Sequence, residues 1–201
     1  MYKDLDFLEI GTSDFDTLLQ SAPDDSIGMS VEPIKKYLDN LPNKANVTKV
    51  NAAVKAKNRD ETCEVYYIPD NVIAENNLPS FLKGCNSINE YHLQHNNLNL
   101  HHMVQRDTVP QVAINTLLEQ NNIRKIGYLK IDTEGGDCYI LNDLIAYLTD
   151  KDPVYFPQKI LFESNELSDS GMVDSVVQAL RGIGYKLVHR GMDTLLELTS
   201  Q

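Results

Sequence analysis

Acidic residues end two apolar segments of the sequence and could carry acid–base chemistry. Asp132 and Glu134 end the segment IGYLKIDTE, and Glu163 ends the segment ILFE. If the first segment stays extended, Asp132 and Glu134 lie on one side of it, since side chains alternate along a strand. Carboxylates that crowd together raise one another's pKa, so one of them could accept a proton near neutral pH. We therefore predict Asp132 and Glu134 as catalytic residues.

The same carboxylates allow other interpretations. We expect Glu163 to end the neighbouring strand, so the three carboxylates could converge. They could then bind a divalent cation through oxygen and so activate a hydroxyl, although we assign no metal ligand. Alternatively, Asp132 holds the amino group of a cofactor, Glu134 caps the following helix and Glu163 is solvated. We count Asp132 among the cofactor-binding residues as well as the catalytic ones.

The segment LDFLEIGTSDFDTLL has the order of a strand, a glycine turn and a helix. This order is typical of a nucleotide-binding loop, in which Gly11 would let the backbone approach a ligand. Glu32 ends the next apolar segment about twenty residues later, the position of an acid that binds ribose hydroxyls. A tight turn at Gly11 and helix capping by Glu32 are the structural alternatives. Both residues together, at this spacing, indicate a cofactor that carries a ribose.

The charges near this loop discriminate between two cofactors. A dinucleotide has a pyrophosphate, which prefers a glycine-rich loop and a free helix N-terminus. Asp14 and Asp16 precede the predicted helix and would repel a pyrophosphate. They suit a ligand with an amino group and a sulfonium, so we expect S-adenosylmethionine and treat a nicotinamide cofactor as the weaker alternative.

The composition excludes several classes of partner. The formal net charge is −11, which disfavours nucleic acid and anionic membranes. No apolar run is long enough to span a bilayer, and the N-terminus has no secretory signal. Three scattered cysteines indicate a reducing compartment, so we expect a cytoplasmic protein. With 201 residues, 42% of them hydrophobic, we expect one domain over residues 1–201; the oligomeric state is not specified.

Strands and helices alternate along the chain. The pattern predicts strands at residues 6–11, 26–33 and 46–54. Between the first two, a helix starts near Ser13, where Ser13 and Asp16 fit a variant of the capping box. Between the second and third, a helix runs from Pro33 to Leu41. Later strands are predicted at residues 63–68, 103–109, 126–136 and 159–166, and later helices at 112–121, 140–148 and 172–184. Strands joined through helices pair in parallel.

The C-terminal strands decide the fold class. Residues 185–189 and 193–198 are linked by only three residues, which permits an antiparallel hairpin and no parallel crossover. We therefore predict an α/β fold, a Rossmann-like αβα sandwich of the class I methyltransferase type. Its sheet is mostly parallel and seven-stranded, with a C-terminal antiparallel hairpin.

Residues 69–103 show no clean periodicity, and we expect an irregular insertion there. His92 and His95 have a spacing that can suit a metal on a helix. No further ligand follows at a recognisable spacing, so we interpret the histidines of this segment as surface residues. One of them could still act as the proton acceptor.

With these motifs in place, the chain resembles the FkbM-type methyltransferases over nearly its whole length. FLEIGTSDFDTL resembles the first strand and cofactor loop of that family, SVEP its second strand with the ribose acid, and VNAAV its third strand. The most specific match is IGYLKIDTEGGDCYIL, which is similar to the family pattern D-x-x-K-I-D-x-E-G-x-E-x-x-V-L, and ILFESNE matches the strand that follows. CNSINEYH (residues 85–92) takes the place of a serine-containing stretch on the substrate side.

The resemblance implies S-adenosylmethionine as the cofactor and O-methylation of a small-molecule, sugar or lipid hydroxyl. The implied cofactor-binding residues are Glu9, Gly11, Thr12, Ser13, Asp14, Glu32, Pro33, Asn51, Ala52 and Asp132. Two departures are visible: the second glycine of the family loop is missing near Phe15, and so is an N-terminal helix over the cofactor. We therefore also consider a minimal domain or a fragment of a longer product, and a binding or scaffold protein that has lost catalysis.

Overall fold

A computed structural model describes residues 2–56 and 60–199. Within these ranges the chain forms ten strands, numbered in chain order: β1 (Lys3–Ile10), β2 (Gly28–Val31), β3 (Val47–Val50), β4 (Ala53–Val54), β5 (Thr62–Tyr67), β6 (Gln105–Val112), β7 (Ile123–Ile131), β8 (Lys159–Glu163), β9 (Tyr185–Arg190) and β10 (Asp193–Leu198). The α-helices are α1 (Leu18–Ser21), α2 (Lys35–Asn40), α3 (Asp70–Glu75), α4 (Leu93–Asn97), α5 (Ile114–Gln120), α6 (Asp137–Leu148) and α7 (Ser170–Gly182).

Seven of these strands form one sheet in the order β3-β2-β1-β7-β8-β10-β9. β1 pairs in parallel with both β2 and β7, and β8 continues in parallel beside β7. β10 is antiparallel to β8 and to β9, so the predicted C-terminal hairpin is confirmed. The strand order reverses between β1 and β7, and ligands of open α/β sheets bind at such a reversal.

Helices cover both faces of the sheet, which gives three layers. Phe7 of β1 packs with Leu19 of α1 and Leu38 of α2 on one face. The adjacent residue Leu8 belongs to the main core, which includes buried residues of α5, α6 and α7. Successive residues point to opposite faces of a strand. A strand buried on both faces must therefore be apolar almost throughout, as residues 7–10 of β1 (FLEI) are apart from Glu9.

Residues 46–54 do not form one strand, contrary to the prediction. β3 ends at Val50, and β4 joins a separate three-stranded sheet in the order β4-β6-β5. The side-chain amide of Asn51 lies at the break and donates to the carbonyl oxygens of Glu32 and Pro33 at 2.9 and 2.7 Å. These bonds hold the chain against the end of β2, so β4 leaves the main sheet.

The small sheet places the irregular segment near the ends of β1 and β7. β5 and β6 are antiparallel, and the chain between them contains α3 and α4 with two 3₁₀ turns. Ser87 pairs with Tyr66 through an isolated bridge and donates its hydroxyl to the carbonyl of Glu134 at 3.0 Å. The insertion is therefore fastened to the loop that follows β7.

Two element boundaries differ from the predicted ones. α2 begins at Lys35, with Ile34 as its N-cap, so Pro33 precedes the helix instead of opening it. β7 ends at Ile131, before Asp132.

Across residues 2–56 and 60–199, no helix is long and apolar enough to cross a membrane.

Candidate active site

The loop after β1 packs directly on the end of β7. Gly11 has a φ of +78°, and a Cβ atom there would lie 1.8 Å from the carbonyl oxygen of Asp132. The N–H of Asp132 donates to the carbonyl of Ile10 at 2.9 Å, so the two strands stay paired up to this point. Only glycine permits both the left-handed conformation and the close approach.

The missing second glycine does not prevent the loop from turning. Ser13 and Asp16 take positive φ values of 46° and 53°, and a short aspartate side chain tolerates this conformation better than most. These conformations also rule out the predicted helix start at Ser13. The N-cap is Thr17, which forms a capping box with Gln20.

The N-terminus of α1 is closed by side chains of the protein. The carboxylate of Glu9 is fully buried and accepts from the backbone N–H groups of Leu18 at 2.9 Å and Leu19 at 3.4 Å. The hydroxyl of Thr17 accepts from the N–H of Gln20 at 3.0 Å. A pyrophosphate would need these donors, so this helix end does not suit a dinucleotide.

Glu32 connects the end of β2 to the glycine loop. Its Oε2 accepts from the N–H groups of Thr12 at 3.0 Å and Ser13 at 2.8 Å, and its Oε1 accepts from the N–H of Ile34 at 2.9 Å. Burial raises the pKa of Glu32 to about 7, while these N–H donors oppose the rise. A carboxylate has about four acceptor positions, so Oε1 retains capacity for a ligand hydroxyl.

Asp14 joins the glycine loop to the insertion. Its carboxylate forms an ion pair with Lys83 at 2.6 Å and accepts from the amide of Asn40 at 2.7 Å. The hydroxyl of Ser13 donates to the backbone carbonyl of Lys83 at 3.2 Å. Asp14 therefore acts within the protein as a tether between the two segments.

Asp132, Glu134 and Glu163 converge where β7 and β8 end. One carboxylate oxygen from each residue lies within 4.8 Å of an oxygen of the other two. β7 does not persist to Glu134; instead Glu134 takes a left-handed φ of 54° and Gly135 a φ of 100°. This turn, and not the alternation of an extended strand, brings Glu134 to the other two carboxylates.

Burial and mutual repulsion shift the pKa values of this cluster upward. Burial, followed by the charges of Asp132 and Asp137, raises the pKa of Glu134 to about 8. Burial and then the charge of Glu134 raise the pKa of Glu163 to about 9. Lys130 lies 3.7 Å from Asp132 and opposes the effect of burial there. The cluster can therefore hold and release a proton near neutral pH.

These groups surround a cavity of about 490 Å³ at the reversal point between β1 and β7. Seven of the predicted cofactor-binding residues line it: Gly11, Thr12, Ser13, Glu32, Pro33, Ala52 and Asp132. Glu9, Asp14 and Asn51 lie behind the lining and hold its loops. Glu134 and Glu163 also face the cavity.

A family comparison identifies the class of protein. The family model of the methyltransferase FkbM domain matches residues 9–187. This chain belongs to the FkbM methyltransferase family. Comparisons with curated proteins and with solved structures find no match. The match spans the glycine loop, the insertion and both strands that carry the converging carboxylates.

Sequence reasoning missed one buried carboxylate of this FkbM domain. Asp137 is fully buried at the start of α6 and accepts from the N–H and hydroxyl of Thr133 and from the N–H of Glu163. Burial raises its pKa to about 6. It therefore fixes the loop after β7 against the end of β8. Asp137 is the last residue of EGGD and aligns with an acid of the family pattern. This alignment is the sequence signal that could have identified it.

The interpretation of the histidines as surface residues is wrong for two of them. His92 and His95 of the FkbM domain are 1% and 0% exposed. The Nε2 of His92 lies 2.8 Å from Oε2 of Glu134, and its Nδ1 accepts from the N–H of Gln94 at 3.3 Å. His92 is thus a neutral imidazole that donates to Glu134. No local signal shows that residues 92 and 134 meet.

Proposed function

We propose that this chain is an S-adenosylmethionine-dependent methyltransferase that acts on the hydroxyl of a small molecule, sugar or lipid. The observation that carries the proposal is the acidic composition of the cavity wall. Among the described residues, its lining contains six acidic side chains (Asp16, Glu32, Asp132, Glu134, Glu163 and Glu166) and the single ammonium of Lys130. A bound cation would favour the ionised forms of Glu134 and Glu163, whose pKa values are otherwise about 8 and 9. Such a wall favours a cationic ligand over a pyrophosphate.

The residues present fit this cofactor. Glu163 Oε2 is buried and has no hydrogen-bond partner among the described residues, and a buried acceptor without a partner is costly. An ammonium or sulfonium group near the cluster would relieve that cost. Glu32 would hold the ribose hydroxyls, and the walls near Ala52 and Val54 are apolar enough for an adenine ring.

When bound, S-adenosylmethionine supplies an activated methyl group, so the protein has mainly to position the acceptor and accept its proton. Asp132 or Glu134 takes the hydroxyl proton, since both carboxylates face the cavity. His92 donates to Glu134 and fixes its orientation. Asp137 accepts from the backbone N–H groups of Thr133 and Glu163, and so fixes the backbone beside Glu134 and at Glu163.

The rim of the cavity suggests an acceptor with an apolar part. Phe15, Phe81 and Met192 line the cavity, yet 41%, 51% and 72% of their surfaces are exposed. Large apolar side chains that stay exposed around one cavity are typical of binding sites. We expect Phe81→Ser to raise KM for such an acceptor and to leave the affinity for the cofactor product unchanged.

Calorimetry with S-adenosylhomocysteine tests the proposal. We expect binding in the micromolar range and no thermal stabilisation by NAD, since only a true ligand stabilises the native state by mass action. Absence of binding at millimolar S-adenosylhomocysteine would refute the proposal. Binding without methyl transfer to any of a panel of hydroxyl acceptors would favour the scaffold alternative.

A further inference from the structure

We propose that Cys85, His92 and Glu134 form a binding site for a transition-metal ion, with Zn²⁺ as the best match. Their donor atoms lie within 4.8 Å of one another, and the Nε2 of His92 and Oε2 of Glu134 are 2.8 Å apart. Neighbouring ligands of a tetrahedral zinc ion are separated by about 3.5 Å, given zinc–ligand distances of about 2.0–2.3 Å. Side-chain shifts of roughly 1 Å would therefore complete the site.

Two of the three donors are buried and the third, Glu134, is mostly buried. Cys85 is 5% exposed, His92 is 1% exposed and the side chain of Glu134 is 16% exposed. They come from two separate segments, the insertion and the loop after β7. A shared metal ion would therefore fasten the insertion over the cavity, in addition to the Ser87–Glu134 hydrogen bond.

His95 is a second, independent observation that points to a metal ion. It is fully buried, and neither of its ring nitrogens has a hydrogen-bond partner within the described ranges. Its ring centroid lies 5.0 Å from that of His92. A buried imidazole without partners is costly. His95 is therefore a spare nitrogen donor beside His92, outside the group of three donor atoms that lie within 4.8 Å of one another.

Charge considerations also favour a cation here. Without metal, the Cys85 thiol donates weakly to the carbonyl of Phe81, and a carboxylate oxygen of Glu134 lies within 4.8 Å of its sulfur. A divalent ion would replace the thiol proton, since a coordinating thiol is deprotonated. The cost is modest: His92 must change tautomer and lose the 3.3 Å contact from Gln94.

The mixture of donors selects the ion. One sulfur, one nitrogen and one oxygen suit Zn²⁺ or Co²⁺, whereas Mg²⁺ and Ca²⁺ prefer oxygen alone. The neighbouring group of Asp132, Glu134 and Glu163 offers only oxygen. Three protein ligands leave a fourth position open, and both Cys85 and Glu134 line the cavity. If the proposed function holds, this position faces the acceptor and Asp132 remains to accept its proton.

Cobalt(II) titration of the chelator-treated chain of 201 residues tests the site. Cobalt reports on its ligands by colour, because a thiolate ligand gives an intense charge-transfer band in the near ultraviolet. We expect one equivalent of Co²⁺ to bind with this band and added Zn²⁺ to displace it. The measurement needs no substrate, so it can fail or succeed independently of S-adenosylhomocysteine binding.

Matched cysteine variants locate the ion. Cys85→Ser should abolish the charge-transfer band, whereas Cys138→Ser should retain it. Cys138 is also buried, at 2% exposure, but belongs to neither group of potential ligands. His92→Gln and Glu134→Gln should each weaken zinc binding at least about tenfold, the lower end of what even indirect ligand support contributes. Circular dichroism and thermal melts check that each variant is folded.

Three results would overturn the proposal. The first is no binding of Co²⁺ or Zn²⁺ by the unmodified protein at millimolar metal. The second is a charge-transfer band that survives in Cys85→Ser. The third is metal binding that Glu163→Gln abolishes and His92→Gln leaves intact, which would place the ion on the carboxylates. Should Cys85→Ser fail to fold, the His92→Gln and Glu134→Gln titrations decide alone.

Discussion

Replacing Gly11 by alanine tests whether the glycine loop packs on the end of β7. A Cβ at residue 11 would lie 1.8 Å from the carbonyl oxygen of Asp132 and 2.7 Å from its carbonyl carbon. Both contacts are with backbone atoms, so no side-chain rotation can relieve them. The ends of β1 and β7 must therefore separate in Gly11→Ala, and the cavity between them must change shape.

The expected loss of stability has two parts. A residue with a Cβ in the left-handed conformation costs roughly 1–2 kcal/mol. Separation of β1 from β7 also breaks the bond from Asp132 N–H to Ile10, worth about 1 kcal/mol net. The sum is roughly 2–3 kcal/mol, which lowers the Tm by roughly 4–12 °C for a chain of this size.

Thermal unfolding and calorimetry with S-adenosylhomocysteine measure the two consequences. Gly182→Ala is the matched control, because Gly182 lies in α7 and a Cβ there meets nothing within 4 Å. That variant should be neutral or should gain up to about 1 kcal/mol from the better helix former. A Gly11→Ala protein with unchanged Tm and unchanged ligand affinity would show that the packing described for this loop is wrong.

Three further predictions concern the carboxylates. Glu32→Gln places an amide against two backbone donors, so we expect roughly 10–100-fold weaker S-adenosylhomocysteine binding, measured by calorimetry; unchanged affinity would assign Glu32 to the loop alone. Asp132→Asn should lower the rate of methyl transfer about 100-fold or more. If the affinity for S-adenosylhomocysteine is unchanged, Asp132 acts as the base; if that affinity falls, Asp132 contacts the cofactor. Near-normal turnover would show that Asp132 has only a structural role. The folded-state pKa of Glu163, about 9, exceeds its ordinary value of 4.5, so its stabilising contribution is complete below about 4.5 and is lost as the pH rises through about 9. We accordingly expect S-adenosylmethionine to bind more tightly from pH 7 to 9, and Glu163→Gln to weaken that dependence, since Glu134 with its pKa of about 8 still titrates in this range; an identical pH profile in the variant would contradict the assignment.

Several features were readable from the sequence because they depend on neighbours along the chain. The alternation of strands and helices follows from local hydrophobic periodicity. The three-residue link before Asp193 requires an antiparallel hairpin whatever surrounds it. Gly11 and Glu32 could be placed because parallel strands bring their carboxyl ends to one edge of the sheet. The same geometry predicted that Asp132 and Glu163 would be close, and the structure shows that they are.

Other features were decided only by contacts between distant segments. The break after Val50 depends on Asn51 bonding to the end of β2, and the start of α1 depends on left-handed conformations at Ser13 and Asp16. His92 is polar in type and lies in a polar stretch, so its local sequence favours exposure. It is buried because the insertion folds back on Glu134, 42 residues away. Local periodicity carries no information about such a pairing, which exists only once the small sheet has brought the two segments together.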